Sequence, residues 1–240
     1  MRYAILGDIH ANYEALEAVL EKYQQEKVEK YVCVGDVVGY GANPIECIAK
    51  LKELKATTVA GNHDFAIVDK LNVDFFNSYA REAALWTRRT ISKEDHAWLS
   101  ALKLVELVDN FTVVHSTLYS PELFEYIQTS YDAHLSFSNM TTPLCFLGHS
   151  HVPVVFIQKR MVTFTMETTI KLDMSAKTMV NVGSVGQPRD ENPDAAYCVF
   201  DSEEKMIWIK RTKYDVEKAA RKIVKAGLPE ILAERLRYGR

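Results

Sequence analysis

The 240-residue sequence predicts an α/β fold of facing sheets covered by helices, and three observations carry that prediction. Strand and helix signals alternate at the start of the chain. From residue 104 onward β signals dominate. Five short polar clusters each stand just after a short apolar run: Asp8-Ile9-His10, Gly35-Asp36, Gly61-Asn62-His63-Asp64, His115 and Gly148-His149-Ser150-His151. The runs before them (Tyr3 to Leu6, Tyr31 to Val34, Thr57 to Ala60, Thr112 to Val114 and Leu144 to Leu147) are continuous rather than alternating, as in strands buried on both faces.

After the first cluster, Asn12 is placed to cap a helix that carries Leu16, Val19, Leu20 and Tyr23 at helical spacing. After the second, Asn43 caps and Pro44 opens another, with Ile45, Ile48, Ala49 and Leu51 on one side. The resulting βαβαβ pattern predicts a largely parallel sheet with helices on its faces. The clusters would then line one edge of that sheet, beyond the strands' carboxyl ends, where open α/β sheets bind ligands.

Residues 65–102 read as a helical cover segment, with a new start at Ser92 where Ser-Lys-Glu-Asp resembles a capping box. Its aromatics Phe75, Phe76, Tyr79 and Trp86 are expected in the core. Strands follow at Leu104 to Leu107, Phe111 to Val114, Leu144 to Leu147, Val154 to Gln158, Met179 to Val182, Ala196 to Phe200 and Met206 to Arg211, the last two joined by a turn at Ser202 to Lys205. Two sheets face to face accommodate this number. The chain ends in helices over 215–237, broken at Gly227-Leu228-Pro229. No linker divides residues 1–240, which are expected to form one domain.

Composition is that of an ordinary globular protein, 48% hydrophobic and 25% charged, and the net charge of −3 argues against nucleic acid or an anionic membrane as partner. A small molecule is the expected ligand. Cys33, Cys47, Cys145 and Cys198 are widely spaced and mostly in apolar stretches, which predicts buried thiols rather than disulfides or zinc ligands. The chain enters its first strand at once, with no leader pattern and no apolar run near the ~20 residues of a spanning helix. A cytoplasmic protein is expected, without fixing its oligomeric state.

Taken singly, Asp-x-His, Gly-Asp or a histidine after a strand is common by chance. Together, three carboxylates, one carboxamide and five imidazoles at successive strand ends would be expensive to bury without cations. Asp8, His10, Asp36 and His151 can form one site. Asp36, Asn62, His115 and His149 can form a second, with Asp36 shared. Oxygen and imidazole donors without thiolate suit manganese foremost, with iron, zinc, cobalt or nickel as alternatives. Two such ions roughly 3.5–4 Å apart activate a water and clamp the attacking and leaving oxygens of a phosphoryl displacement. His63, beside Asn62, is then free to protonate the leaving group, with Asp64 to orient it. His96 and His134 lie outside the clusters and are read as surface residues.

The ordered set Asp-x-His, Gly-Asp, Gly-Asn-His-Asp, Val-His, Gly-His-Ser-His resembles the calcineurin-like metallophosphoesterase superfamily, and Asn181 to Arg189 resembles a segment of its small bacterial and archaeal phosphodiesterase branch. The resemblance implies a four-layer α-β-β-α sandwich of two mixed sheets, with two metals at the sheet edge on the ligands named above. It also implies hydrolysis of a small phosphoester or nucleotide-like substrate, foremost a phosphodiester. Alternatives are a phosphomonoesterase, an asymmetric dinucleoside polyphosphate hydrolase and, more distantly, a non-enzymatic scaffold of the same fold. Phosphoprotein phosphatases and symmetric dinucleoside tetraphosphatases carry Gly-Asp-x-Val-Asp-Arg-Gly, whose Arg grips phosphate. Here Gly35 to Gly41 lacks that Arg, so another group must hold the substrate. Tyr40, Asn43 and Arg189 are the candidates.

Overall fold

Strands apolar on both faces must be covered on both faces, and the chain achieves this by stacking two sheets and laying helices outside them. The computed structural model describes residues 1–240. In chain order the elements are β1 (Arg2–Leu6), α1 (Tyr13–Gln25), β2 (Lys30–Cys33), α2 (Pro44–Glu53), β3 (Thr57–Thr58), α3 (Asn62–Ile67), α4 (Ser78–Thr90), α5 (Lys93–Ala101), β4 (Val105–Val108), β5 (Phe111–Val114), α6 (Ser130–Ser138), β6 (Leu144–Leu147), β7 (Val154–Gln158), β8 (Val162–Thr165), β9 (Thr169–Lys171), β10 (Lys177–Asn181), β11 (Ala195–Asp201), β12 (Met206–Thr212), α7 (Val216–Lys225) and α8 (Glu230–Tyr238).

The βαβαβ unit forms as expected, with β1, β2 and β3 parallel. Its sheet is extended by antiparallel neighbours in the order β3-β2-β1-β11-β12-β9. The second sheet runs β4-β5-β6-β10-β7-β8, in which β5-β6 and β6-β10 pair in parallel and the other neighbours pair antiparallel. Both sheets are therefore mixed. The expected alignment of clusters along one sheet edge changes accordingly: the loops after β1, β2 and β3 belong to the first sheet and those after β5 and β6 to the second. They meet over the seam between the sheets, because the parallel strands of both sheets end on the same side.

The strand faces explain the layering. Tyr3 and Ile5 point between the sheets, into a core with Val32, Val34, Phe111, Phe146, Val180 and Phe200. Ala4 and Leu6 point outward, against Leu16, Val19, Tyr23, Ile48 and Leu51 of α1 and α2. On the far side, Ala133 and Phe137 of α6 cover Cys145, Phe156 and Met179. Burying each large side chain contributes about 1.5–3 kcal/mol. The layers run α-β-β-α.

Helix ends follow local chemistry. Asn12 Oδ1 accepts from Ala15 N at 3.2 Å, and Ser92 Oγ accepts from Asp95 N at 3.0 Å. The chain turns at Ser202 to Lys205 between β11 and β12, and α7 and α8 are separated around Gly227, which takes φ +74°. All four cysteines are buried and free. No helix is long and apolar enough to cross a membrane. Two aromatics depart from the expected core: Phe75 and Tyr79 are exposed, whereas Phe76 and Trp86 pack partly buried against the α4, α7 and α8 cluster. Strands β8 and β9, with exposed side chains at Thr163, Phe164, Thr169 and Lys171, were not anticipated.

Candidate metal centre

Each cluster sits where a strand gives way to a loop, and the backbone there is forced into an uncommon shape. Asp8, His10, Asp36, Tyr40, His149 and His151 all take positive φ, between 48° and 70°. Non-glycine residues avoid this region, and such strain concentrates where side chains must be aimed at a site. The motif glycines provide room: a Cβ on Gly61 would sit on the Asp36 carboxylate, and one on Gly148 would sit on Asp8.

The loops bring the donor atoms of Asp8, His10, Asp36 and His151 together, and beside them those of Asp36, His115 and His149, each group within 4.8 Å and wholly buried. Asp36 belongs to both. Its Oδ1 accepts from His63 N at 2.9 Å, which turns Oδ2 toward His10 Nε2 at 3.6 Å and His115 Nε2 at 3.4 Å. Asn62 Oδ1 joins the second group, 3.2 Å from His115 Nε2. Burial alone would push the Asp36 carboxyl up, but His115, His63 and His10 hold it well below the ordinary carboxylate range.

Three of the imidazoles are fixed from behind. Nδ1 of His10 faces Val38 O at 3.2 Å, that of His115 faces Val34 O at 2.8 Å, and that of His151 faces Gln187 O at 2.6 Å. A carbonyl only accepts, so Nδ1 carries the proton and Nε2 is directed into the centre. His149 instead presents Nδ1, 3.1 Å from His115 Nε2. Burial holds His10 well below its ordinary pKa and lowers His151, with Arg189 acting the same way on both. Their Nε2 lone pairs thus face each other at 3.1 Å with no proton to share. Burial lowers His115, but the charge and hydrogen bond of Asp36, with Asp8 and the Val34 carbonyl, together push the imidazole up to about 9. A buried set of carboxylate, carboxamide and imidazole donors, aimed inward and backed by carbonyls, fits divalent cations.

The Asn181 to Arg189 segment supports this arrangement. Asn181 Nδ2 donates to Gly148 O at 2.6 Å, Ser184 Oγ donates to Asp8 O at 2.7 Å, and Gln187 supplies the carbonyl behind His151. Of these residues the sequence singles out Arg189 alone. The glycine-containing stretch directly after a strand was the available signal for the rest.

A family model described as the calcineurin-like phosphoesterase superfamily domain matches residues 1–205. The chain belongs to that superfamily. The uncharacterised protein MJ0912 of Methanocaldococcus jannaschii is 41% identical over 242 residues, which cover 99% of this chain and 98% of that one. A metallophosphoesterase structure from Sphaerobacter thermophilus superposes with a TM-score of 0.86 at 36% identity, over 100% of this chain and 99% of that one. A symmetrical bis(5'-nucleosyl)-tetraphosphatase of Histophilus somni is 32% identical over 110 residues, 44% of this chain and 35% of that one.

In this calcineurin-like phosphoesterase the candidate metal centre opens into a cleft of about 370 Å³ that Asp36, Asn62, His63, His149, His151, Tyr40 and Arg189 line. The His63 ring lies 4.4 Å from Tyr40 and 4.6 Å from Phe76, centroid to centroid, and its Nδ1 is buried without a hydrogen-bond partner. Gly39, at φ +93°, passes behind it where a Cβ would strike the ring. Burial brings His63 down to about 4, Asp36 pulling it up and Arg189 pushing it further down.

Two expectations change. Asp64 does not touch the His63 imidazole: its carboxyl accepts from Val37 N, Val38 N and Gly61 N at 3.0, 3.3 and 2.9 Å, tying the loop after β2 to the start of α3. One residue further along α3, Asp64 points about 100° away from His63, and these three bonds hold it against the loop after β2 rather than in the cleft. Burial and the Asp36 charge push Asp64 up to about 7. Asn43 is not in the cleft either, because its side chain is held by Glu46 Oε1 at 2.7 Å and Lys222 Nζ at 3.0 Å. Arg189 does face the cleft: it donates to Tyr40 Oη at 3.3 Å and Gln187 Oε1 at 3.0 Å, pairs with no carboxylate, and leaves Nε buried without a partner.

Proposed function

We propose that this protein hydrolyses phosphoesters, foremost phosphodiesters of small nucleotide-like molecules, with two divalent cations. The observation that carries the reading is Asp36 Oδ2, which stands between two groups of inward-aimed donors and so is placed to be shared. Asp8, His10, Asp36 and His151 would hold one ion, and Asp36, Asn62, His115 and His149 the other. Bound ions would polarise the phosphoryl group and lower the pKa of a water nucleophile, with manganese the first choice for this donor set.

The chain's own residues supply the rest. Arg189 would hold a non-bridging phosphoryl oxygen, its fork oriented by Tyr40 and Gln187. His63, packed between Tyr40 and Phe76 beside Asn62, is kept neutral by burial and would hydrogen-bond through its ring N–H to the oxygen that leaves, stabilising the charge that grows there. Asp64 keeps His63 in place indirectly, through the backbone. Arg189 is the one Lys or Arg lining the cleft, and Glu122 lines it as well. Beyond the ions, Arg189 and Glu122 leave that lining without net charge, which suits a phosphodiester whose second ester arm is neutral. A scaffold would have no use for a full donor set with a histidine beside it.

The test is hydrolysis of bis(p-nitrophenyl) phosphate and p-nitrophenyl phosphate by protein stripped with chelator and reloaded with manganese, iron, zinc, cobalt or nickel. Metal-restored turnover, higher on the diester, is expected. Absence of hydrolysis with every metal would end the enzymatic reading.

A further inference from the structure

The cleft continues outward from the metal centre into apolar surface that the chemistry above does not use. Two separate segments provide it: Leu71 and Phe75 ahead of α4, and Leu123 and Tyr126, at and after a 3-10 turn over Pro121–Leu123, ahead of α6. Phe75 is 82% exposed, Leu123 62% and Tyr126 46%. The deeper rings are engaged: Phe76 lies on His63, and Phe124 meets His115 edge to face at 5.9 Å. Tyr126 stacks on His149 at 4.0 Å and 20°, so one face of its ring is covered. Phe75 and Leu123 have no such partner. Isolated exposed hydrophobics mean little, but a group of them lining the same cleft as a metal centre marks a binding surface.

We infer that Phe75, Leu123 and Tyr126 form a subsite for a neutral planar ring carried by the phosphoester, a nucleobase or an aryl group. This rests on the phosphoesterase reading above. Aromatic side chains stack on any base or aryl face with little regard to its edge chemistry. The charge balance argues against a further phosphate in that place. A polyphosphate chain leaving the centre would meet Phe75, Leu123 and the Glu122 carboxylate, with Arg189 as its one cation. A ring meets surface of its own kind.

The manganese-loaded full chain is titrated by calorimetry with methylphosphonate, phenylphosphonate and the phosphonate isostere of thymidine 5'-monophosphate, none of which can be hydrolysed. Both ring-bearing probes are expected to bind about tenfold more tightly than methylphosphonate. Phe75→Ala and Leu123→Ala should erase most of that advantage. Both side chains are largely exposed, so folding is not at risk, and Tyr131→Ala, an exposed ring on α6 away from the cleft, serves as the control. Tighter binding of the thymidine probe than of phenylphosphonate identifies a nucleobase site, and the reverse an aryl site. Equal Kd for methyl and phenyl probes, or equal losses on both in the variants, would overturn the subsite while leaving metal-dependent hydrolysis intact. Failure of the underlying reading looks different: methylphosphonate itself would not bind, and no ester would be cleaved.

Discussion

His10 and His151 meet Nε2 to Nε2 at 3.1 Å, although each already directs its Nδ1 proton to a carbonyl, His10 to Val38 and His151 to Gln187. Two lone pairs held this close repel unless a cation lies against both. Loading with manganese should therefore stabilise the fold as well as switch on hydrolysis. At a hundredfold excess over Kd the gain is about 2.7 kcal/mol, which for a chain of this size is roughly 5–10 °C in Tm. Asp36→Asn should be the most damaging ligand change, because Asp36 faces both groups. Scanning calorimetry with and without chelator, paired with elemental analysis, checks it. Full activity of Asp36→Asn in metal-free buffer would sink the two-ion assignment.

Asp64 has a role the sequence did not suggest, and it can be tested by stability. Asp64→Ala leaves the N–H groups of Val37, Val38 and Gly61 buried without their acceptor, at ~1–3 kcal/mol each, so a loss of about 3 kcal/mol or more is expected. Asp64→Asn retains one acceptor oxygen and should lose less. Urea denaturation of both variants measures this. If Asp64 instead acted on the imidazole directly, Asp64→Asn would fold with native stability and show a displaced pH–rate profile.

What was legible in the sequence follows from what is local. Tyr3 to Leu6 announces a doubly covered strand because every one of its side chains is buried. Asn12 announces a cap because its partner, Ala15, is three residues away. The candidate donor set was legible for a related reason: each of its residues stands within four positions of a strand's end, and strand ends on one side of a sandwich converge. Some readings that needed long-range partners failed. Asn43 reads as a candidate substrate contact, yet its side chain is held by Lys222, 179 residues distant. Phe75 and Phe76 look alike in sequence, but one packs on His63 and its neighbour points to solvent. Residues Leu123 to Tyr126 gave no periodic signal, since left-handed turns at Ser120 and Phe124 interrupt any pattern. Strands β8 and β9 lie at sheet edges, where one neighbour and partial exposure weaken the apolar signature.

His63 is expected to act on the leaving group rather than on the metals. Its ring touches Tyr40, Phe76 and His10, while the oxygen turned toward His115 comes from the adjacent residue, Asn62. His63→Ala should keep both ions yet lose about a hundredfold or more in turnover. The loss should be smaller for nitrophenyl esters, whose leaving group departs with little protonation, than for esters of a ribose hydroxyl. Metal content and kcat on the two substrate types decide the matter; equal losses, or loss of metal, would remove His63 from this role.

Arg189 gives the last prediction. The Gly35 to Gly41 loop has no arginine, and Arg189 reaches the same cleft from the segment after β10, held by two neutral partners and no carboxylate. An unpaired guanidinium beside a buried centre is the natural contact for a phosphoryl oxygen, and a hydrogen bond to a charged group is worth roughly 1.5–3 kcal/mol. Arg189→Ala should therefore lower kcat/KM on anionic esters by about ten- to a hundredfold, chiefly through KM, without disturbing metal content. Arg189→Lys should restore only part of this, because an ammonium cannot reproduce the two-pronged contact or the orientation set by Tyr40 and Gln187. Tyr40→Phe removes one of those partners while keeping the ring, and should show a smaller defect in the same direction. Steady-state kinetics on one diester across the three variants ranks them; an unchanged KM in Arg189→Ala would assign phosphate binding to the metals alone.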